Sequence, residues 1–163
     1  MERPYLETLY EMARNLNEAE DIPAIFDTVV NHLPKVLDAK YCSLFTRNPS
    51  SGDLEIKAHN HTDIGQDPFI SINSQRDSMM NLAMARNGSL IIKDIEEEIG
   101  LQNKEKYSTK SFMCILIKQK EKVLGVLNLA DKSGGFAKDD MLIASIICDL
   151  LGAFLARIDY AAM

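Results

Sequence analysis

The stretch from Ser111 to Asp131 constrains the fold most, because it contains two strongly apolar runs that are separated by only a few residues. "SFMCILIKQ" and "KVLGVLNLAD" have the composition of β-strands, and only the short "KEK" turn joins them. Apolar runs of this kind are typical of buried strands, and a short link places two strands side by side. The sequence therefore predicts a pair of neighbouring, buried strands.

Three further runs extend this pair into a sheet. "AKYCSLFTRN" and "DLEIKAHN" are separated by the turn residues of "PSSG", which predicts an antiparallel hairpin. "SLIIKD" is a short strand that leads into "IEEEIGLQNKEKYSTK", a polar stretch with the character of a marginal helix or a lid. We expect a mostly antiparallel sheet of five to six strands.

Helices are predicted before and between these strands. In residues 1–19 apolar residues recur at alternating steps of four and three, which makes a seam of Tyr5, Leu9, Met12 and Leu16. Asp21 and Pro23 are start signals for a second helix, which runs to Asp38. "SQRDSMMNLAMARNG" has helical character, and Gly88 is placed to end that helix in the left-handed conformation.

The last helix, expected over residues 138–160, has an apolar face too wide for packing on a sheet alone. That face consists of Leu142, Ile143, Ile146, Ile147, Leu150, Leu151, Phe154, Leu155 and Ile158. One side is therefore expected to face the core and the other a partner helix. The element order predicts an α+β fold whose sheet lies between helical layers, with the N- and C-terminal helices packed together on one face.

Length suggests one domain, since a chain of 163 residues buries a substantial core. We expect a single domain over residues 1–163. Within it, residues 1–19 form a candidate dimerisation helix, residues 20–157 form the core and residues 138–160 form the C-terminal helix.

Charge and composition exclude several kinds of partner. The 18 Lys and Arg against 24 Asp and Glu leave a net charge of -6, which gives no broad attraction to nucleic acid or to anionic lipid. The three widely spaced cysteines form no Cys-x-x-Cys pair, which fits a reducing compartment. No apolar run approaches the roughly 20 residues that span a bilayer. The sequence thus predicts a cytoplasmic protein without membrane or nucleic-acid partners.

Four stretches together resemble a GAF domain over about residues 21–157, namely "AKYCSLF", "GSLIIKDI", "YSTKSFMCILI" and "KVLGVLNLADK". The most specific one continues into "GVLNLADKSGGFAKDD". Cyclic-nucleotide-binding GAF domains carry Asn-Lys, then Phe, then Asp-Glu around this turn. Lys132, Phe136 and Asp140 match that signature, whereas Asp131 and Met141 depart from it. The resemblance implies a structural role for these three, with a Lys–Asp salt bridge that closes the loop over the Phe.

The resemblance also implies a ligand pocket on the sheet face beneath a lid of residues 95–110. The positions carried over to this chain as ligand-binding are Ser43, His59, Asn60, Met80, Asn81, Thr109 and Asn128. Hydroxyl and amide side chains suit the edge of a purine and a phosphate, since they donate and accept without adding charge. Met79 and Met80 stand where many relatives have smaller residues, and Leu116 replaces a Pro, which leaves the identity of the ligand open.

Enzymatic alternatives lack a complete set of groups in the sequence. His59 and His61 form a His-x-His without a carboxylate or Cys cluster, in a stretch, "HNHTD", expected to be an exposed loop. Cys114 is the cysteine near the lid, but its apolar strand neighbours favour an inert buried thiol over the thiolate of a sulfoxide reductase. Bilin-carrying relatives commonly have a Cys followed by His, and no Cys of this sequence has that neighbour. We expect no metal site and no catalysis.

The hypothesis that follows is a non-catalytic sensory module that binds a small molecule under the lid, with a cyclic nucleotide as the candidate ligand. The alternative is a ligand-free GAF scaffold that forms a homodimer through its first and last helices and relays a signal. A monomer in which these helices merely cover the sheet is the third alternative.

Overall fold

A computed structural model of the protein describes residues 3–62 and 79–162. The helices are α1 (Arg3–Glu18), α2 (Ile22–Leu37), α3 (Met79–Arg86), α4 (Ile95–Glu98) and α5 (Lys138–Ala162). The strands are β1 (Tyr41–Arg47), β2 (Leu54–His59), β3 (Leu90–Ile92), β4 (Phe112–Gln119) and β5 (Lys122–Ala130). The predicted α+β class is confirmed, with five strands in the described part of the chain.

The sheet has the strand order β2-β1-β5-β4-β3, and each neighbouring pair is antiparallel. β4 and β5 form the predicted hairpin, whose turn uses the left-handed conformation of Lys120 at a φ of 55°. β1 and β2 form the second predicted hairpin, with an irregularity in register between Leu44 and Phe45. The buried strand β5 lies at the middle of the sheet, so its side chains reach both layers.

Alternation along the strands separates two apolar layers. Leu127 and Leu129 of β5 belong to the larger layer, which the sheet shares with α1, α2 and α5. Val126 and Ala130 belong to the other layer, which is covered by α3, α4 and part of the loop after α4. The expected arrangement of a sheet between helical layers is therefore confirmed, and the two layers have different coverings.

The start of α2 and the end of α3 show how local signals position the helices. Asp21 caps α2 by accepting a hydrogen bond from the Ala24 amide at 2.9 Å. The end of α3 corrects one prediction, because Asn87 rather than Gly88 is the left-handed residue, with a φ of 52°. The helix ends one residue earlier than expected, and Asn tolerates this conformation better than most residues. The part of that predicted helix before Met79 lies outside the described residues.

Three of the four residues of the seam predicted on the first helix, Leu9, Met12 and Leu16, face the interior of the chain. Met12 is fully buried, and Leu9 and Leu16 pack against the larger apolar layer. The exposed apolar residues of α1 are Leu6 and Tyr10 on its other side. These three residues contribute to packing within the chain, where α1 packs mainly against α2.

The last helix is long and apolar enough to span a membrane, which corrects the expectation that no such run exists. The segment Lys138–Ile158 has 21 residues, and an 18-residue window within it has a mean hydropathy of 2.0, with 39% of that window buried inside the protein. The helix packs along β4, and a Cβ added to Gly152 would overlap the Lys118 carbonyl oxygen. Core helices of soluble proteins have the same length and composition, so this property alone is weak support for a membrane span.

Candidate ligand-binding site

The candidate site lies on the sheet face that α3 and the lid segment cover; the lid segment is residues 95–110, formed by α4 and the loop after it. The strand register brings together three of the predicted ligand-binding residues. Ser43 on β1 stands opposite His59 on β2 and opposite Asn128 on β5. Asn128 also stands opposite Cys114 on β4. A polar row thus crosses the middle of an otherwise apolar sheet face.

Asn128 has a buried side-chain oxygen, Oδ1, with no hydrogen-bond partner among the described residues. The Oδ1 of Asn103, in the lid segment, is buried and unpartnered in the same sense. Asn103 holds the lid segment by donating from Nδ2 to the Thr109 carbonyl at 3.1 Å, so only its acceptor is unused. Sequence reasoning missed Asn103, because nothing in the polar run around it distinguishes this Asn from a solvated one.

His61 also belongs to the site, and its predicted exposure to solvent was wrong. "HNHTD" was expected to be an exposed loop, yet His61 is only 9% exposed. Its ring stacks on Tyr41 with a centroid distance of 4.8 Å and an interplanar angle of 22°. The apolar part of Tyr41 therefore shields a histidine that the sequence alone would leave in water.

Two polar contacts determine which nitrogen of His61 carries a proton. The Lys106 Nζ lies 2.7 Å from His61 Nδ1, and the Ser43 Oγ lies 3.1 Å from His61 Nε2. An ammonium group only donates, so Nδ1 accepts, and the neutral ring carries its hydrogen on Nε2 and donates it to Ser43. Lys106 also lies over the Tyr41 and Tyr107 rings at 5.3 and 5.2 Å. These contacts connect the lid segment to the first strand.

Two other predicted ligand-binding residues use their polar atoms within the protein. Asn60 accepts from the Cys42 amide at 2.7 Å and donates to the Lys40 carbonyl at 2.9 Å. Thr109 donates from its backbone amide to Asp131 at 2.7 Å, and its hydroxyl lies 2.7 Å from that of Ser111. Both side chains therefore fasten strand ends.

The remaining two predicted residues lie on α3. Met80 is 7% exposed and packs in the apolar layer of this face, together with Met79 at 5%. Asn81, the next residue, is half-buried. The two methionines occupy space between the helix and the sheet, as their size predicts.

The turn after β5 contains the signature residues and closes one end of the site. Lys132 Nζ lies 2.9 Å from Asp140 Oδ1 and 3.0 Å from Oδ2, and Phe136 is buried at 5% exposure. Asp131, which departs from the signature, is 2% exposed and accepts from the amides of Ser108 and Thr109. A carboxylate at this position therefore ties the end of the lid segment to the sheet.

Thiol and metal chemistry find no support in the described residues. Cys42, Cys114 and Cys148 are unpaired and buried, and burial raises the pKa of each thiol far above its ordinary value. A thiol that stays protonated is a poor nucleophile. In the described part of the chain no three His, Cys, Asp or Glu side chains group closely enough to hold a metal ion.

The architecture defines an α+β domain with a covered sheet face that contains unpaired polar atoms. The family model of the GAF domain matches residues 21–155, and the chain belongs to the GAF family. GAF domains are sensory and regulatory modules that bind small molecules. A comparison with curated protein sequences finds no match.

Solved structures with the same fold come from several bacteria. The GAF domain of an Acinetobacter phosphoenolpyruvate-protein phosphotransferase is 17% identical, with 98% of this chain and 97% of that chain covered and a TM-score of 0.81. The corresponding domain from Coxiella burnetii is 19% identical, with 97% and 96% covered and a TM-score of 0.82. Free methionine-R-sulfoxide reductase from Neisseria meningitidis, in complex with its substrate, is 14% identical, with 91% and 86% covered and a TM-score of 0.71.

Proposed function

We propose that this protein is a non-catalytic sensory module that binds a small molecule between the sheet and the lid segment, and that the ligand is a cyclic nucleotide. The observation that carries the proposal is the buried, unpartnered Oδ1 of Asn128 at the centre of the sheet face. A buried acceptor without a donor costs about 1–3 kcal/mol of stability. A ligand that supplies an N–H group, such as the amino edge of a purine, would remove that cost.

Neighbouring groups match the other parts of such a ligand. The Asn103 Oδ1 offers a second unused acceptor on the lid side. Lys106 brings a positive charge to the same face, close to His61 and the Tyr107 ring, where a phosphate would find a counter-charge. The rings of Tyr41 and Tyr107 suit a purine base, which would replace their contacts with His61 and Lys106.

Ligand entry requires a change in the methionine layer, because Met79 and Met80 fill the space beneath α3. Methionine side chains adapt easily, since they are unbranched and have three rotatable bonds. We therefore expect binding to displace α3 and the lid segment relative to the sheet. Only a ligand with different affinities for the two arrangements produces such a shift, which is the property a sensor needs.

The test is thermal unfolding of the protein with a panel of cyclic mononucleotides and cyclic dinucleotides. A ligand at 100 times its Kd adds about 2.7 kcal/mol to the free energy of unfolding. We expect one nucleotide to raise the Tm of the wild type and of Asn31→Leu, an exposed control on α2. The Asn128→Leu variant should show no shift. Equal shifts in both variants, or none with any nucleotide in the wild type, contradict the proposal.

A second candidate function, homodimerisation as a ligand-free scaffold, is favoured by the exposed face of α5. Leu142, Ile146 and Leu150 are 51%, 59% and 62% exposed, and their spacing of four places them on one stripe. Leu6 and Tyr10 of α1 add exposed apolar surface at 49% and 61%. Stripes of this kind pair in helical dimers. Of the wide apolar face predicted for the last helix, Leu150 is on this stripe, whereas Ile147 is in the core.

Light scattering coupled to size exclusion tests this second candidate. A dimer should dissociate in the Ile146→Glu and Leu150→Glu variants, because a charge would be buried at the contact. Lys138→Glu, at the exposed start of the same helix, is the matched control and should remain dimeric. A wild-type protein of monomeric mass, or an unchanged dimer in both stripe variants, rules out this role for α5.

A further inference from the structure

A cavity of about 520 Å³ lies far from the lid segment, at the other end of β1 and β5. It opens between the β1–β2 hairpin, the start of α2 and the later part of α5. Phe26 and Leu155, from the two helices, provide apolar lining, and Val123 of β5 adds to it. Phe26 belongs to the larger apolar layer and Leu155 packs against it, whereas Val123 belongs to the other layer, so the cavity lies at the end of the sheet away from the lid segment.

Positive charge is concentrated around this cavity although the whole chain has a net charge of -6. Arg47, Lys57 and Lys122 line it, together with one carboxylate, that of Glu55. Lys57 pairs with Glu55 at 3.1 Å, and Asn48 also donates to Glu55 at 3.1 Å. These two contacts lower the pKa of Glu55, with the Asn48 hydrogen bond as the largest single cause, so the carboxylate stays ionised and neutralises Lys57.

Arg47 and Lys122 are the two cations of the cavity that the Glu55 carboxylate does not neutralise. Both are exposed, and neither forms an ion pair or a side-chain hydrogen bond with another described residue. The Arg47 guanidinium lies across the hairpin turn at Gly52, where a Cβ would stand 3.6 Å from its Nη2. Gly52 has a φ of 80°, a left-handed conformation that favours glycine in this turn. The cation thus lies at the edge of the cavity with its donors unused.

We propose that this cavity binds an amphiphilic organic carboxylate, with its head on Arg47 and Lys122 and its apolar body against Phe26 and Leu155. A guanidinium binds a carboxylate through two parallel hydrogen bonds, which gives it geometric specificity. The volume is within the range of small-molecule pockets, about 300–1,000 Å³. A bound ligand would touch the hairpin and both helices, so its binding would restrain α5 independently of the lid segment.

The experiment is a titration followed by two-dimensional amide NMR of the intact protein, with 4-phenylbutyrate as the probe. We expect saturable shifts at the amides of Gly52 and Lys122. The neutral amide of the same acid should bind at least about tenfold more weakly, since it loses a charge-assisted contact worth about that factor. Acetate, which has the head without the body, should give no saturable shift.

Variants distinguish a specific binding site from general electrostatic attraction to the protein surface. Arg47→Gln should weaken phenylbutyrate binding at least about tenfold, because it removes the paired donors. Lys93→Gln, an exposed lysine outside the cavity, changes the net charge equally and should bind as the wild type does. Equal binding by Arg47→Gln, equal binding of acetate and phenylbutyrate, or no saturable shift at all overturns the proposal.

Discussion

Lys132 and Asp140 form an ion pair across the turn that connects β5 to α5, with both carboxylate oxygens within 3.0 Å of the ammonium. Asp140 Oδ2 also accepts from the Ala137 amide at 2.7 Å, at the start of the helix. The Asp140 side chain is 5% exposed and that of Lys132 20%. One carboxylate thus accepts hydrogen bonds from a helix end and from a nearly buried cation.

Asp140→Asn should destabilise the protein by about 2–3 kcal/mol, because it leaves Lys132 without its counter-charge in a nearly buried place. Chemical denaturation measures this as a lower midpoint at unchanged slope. Asp139→Asn is the matched control, since Asp139 is the exposed neighbour in the same helical turn. The control should change stability by at most about 0.5–1 kcal/mol. Equal losses in the two variants would show that the ion pair is unimportant.

Asn128→Leu should raise the stability of the ligand-free protein by about 1 kcal/mol, because an apolar group of similar shape replaces an unsatisfied buried acceptor. Asn60→Leu provides the contrast, since the same substitution there removes two hydrogen bonds to backbone groups. That variant should lose about 2 kcal/mol. Thermal and chemical unfolding measure both effects. A loss of stability in Asn128→Leu as large as that in Asn60→Leu would mean that Oδ1 is satisfied in solution.

The three thiols should resist a disulfide reagent at pH 8 until the protein unfolds, because burial raises their pKa values and closes access to them. Stability should also depend on alkaline pH. A thiol whose folded pKa is raised contributes stability that is complete below its unfolded pKa of about 8.5 and is lost as the pH rises above it.

Denaturation curves at pH 8 and pH 10 measure that loss, and Cys114→Ala should show a smaller decrease than the wild type. Lysines and tyrosines also titrate in this range, but they are the same in both proteins, so the difference reports the contribution of the Cys114 thiol. Rapid labelling of three thiols in the folded protein at pH 8 would contradict their burial.

Glu96 should control how readily the lid segment opens. Its carboxylate accepts from Lys110 at 2.6 Å and from the Asn103 amide at 3.0 Å, and these contacts lower its pKa, the lysine most. Since a lowered pKa gives stabilisation that is present above the ordinary value of about 4.3 and lost as the pH falls through the folded value, acid should loosen the segment.

Amide hydrogen exchange at Asn103 tests this contact directly. Glu96→Gln should exchange faster there at neutral pH, because a neutral amide replaces a charge-assisted acceptor. Glu97→Gln, exposed on the same helical turn, removes the same charge and should leave that rate unchanged. Unchanged exchange in Glu96→Gln would show that other contacts hold the segment.

The candidate site was predictable from the sequence only in part. The strands that contain Ser43 and Asn128 were predictable because their patterns are local and strong, whereas the register that joins these two residues is a contact between parts distant in the chain. The burial of His61 was not predictable either, because it depends on Tyr41 and Lys106, which reach it from a neighbouring strand and from the lid segment. The residue pattern of "HNHTD" gives no indication of these two contacts.

The sequence by itself determined the strands, the hairpin turns, the capped second helix and the family, since these depend on spacing and composition within short stretches. Only the tertiary structure decided which polar atoms are satisfied and which apolar faces are covered. Asn60 and Asn128 are both asparagines within runs predicted as strands. The Oδ1 of Asn60 accepts a hydrogen bond from the Cys42 amide, whereas the Oδ1 of Asn128 accepts none from the described residues. Met12 is buried within the chain itself, although the spacing of its seam equally allowed a contact with a second chain. Both outcomes depend on partners distant in the chain, which local patterns do not contain.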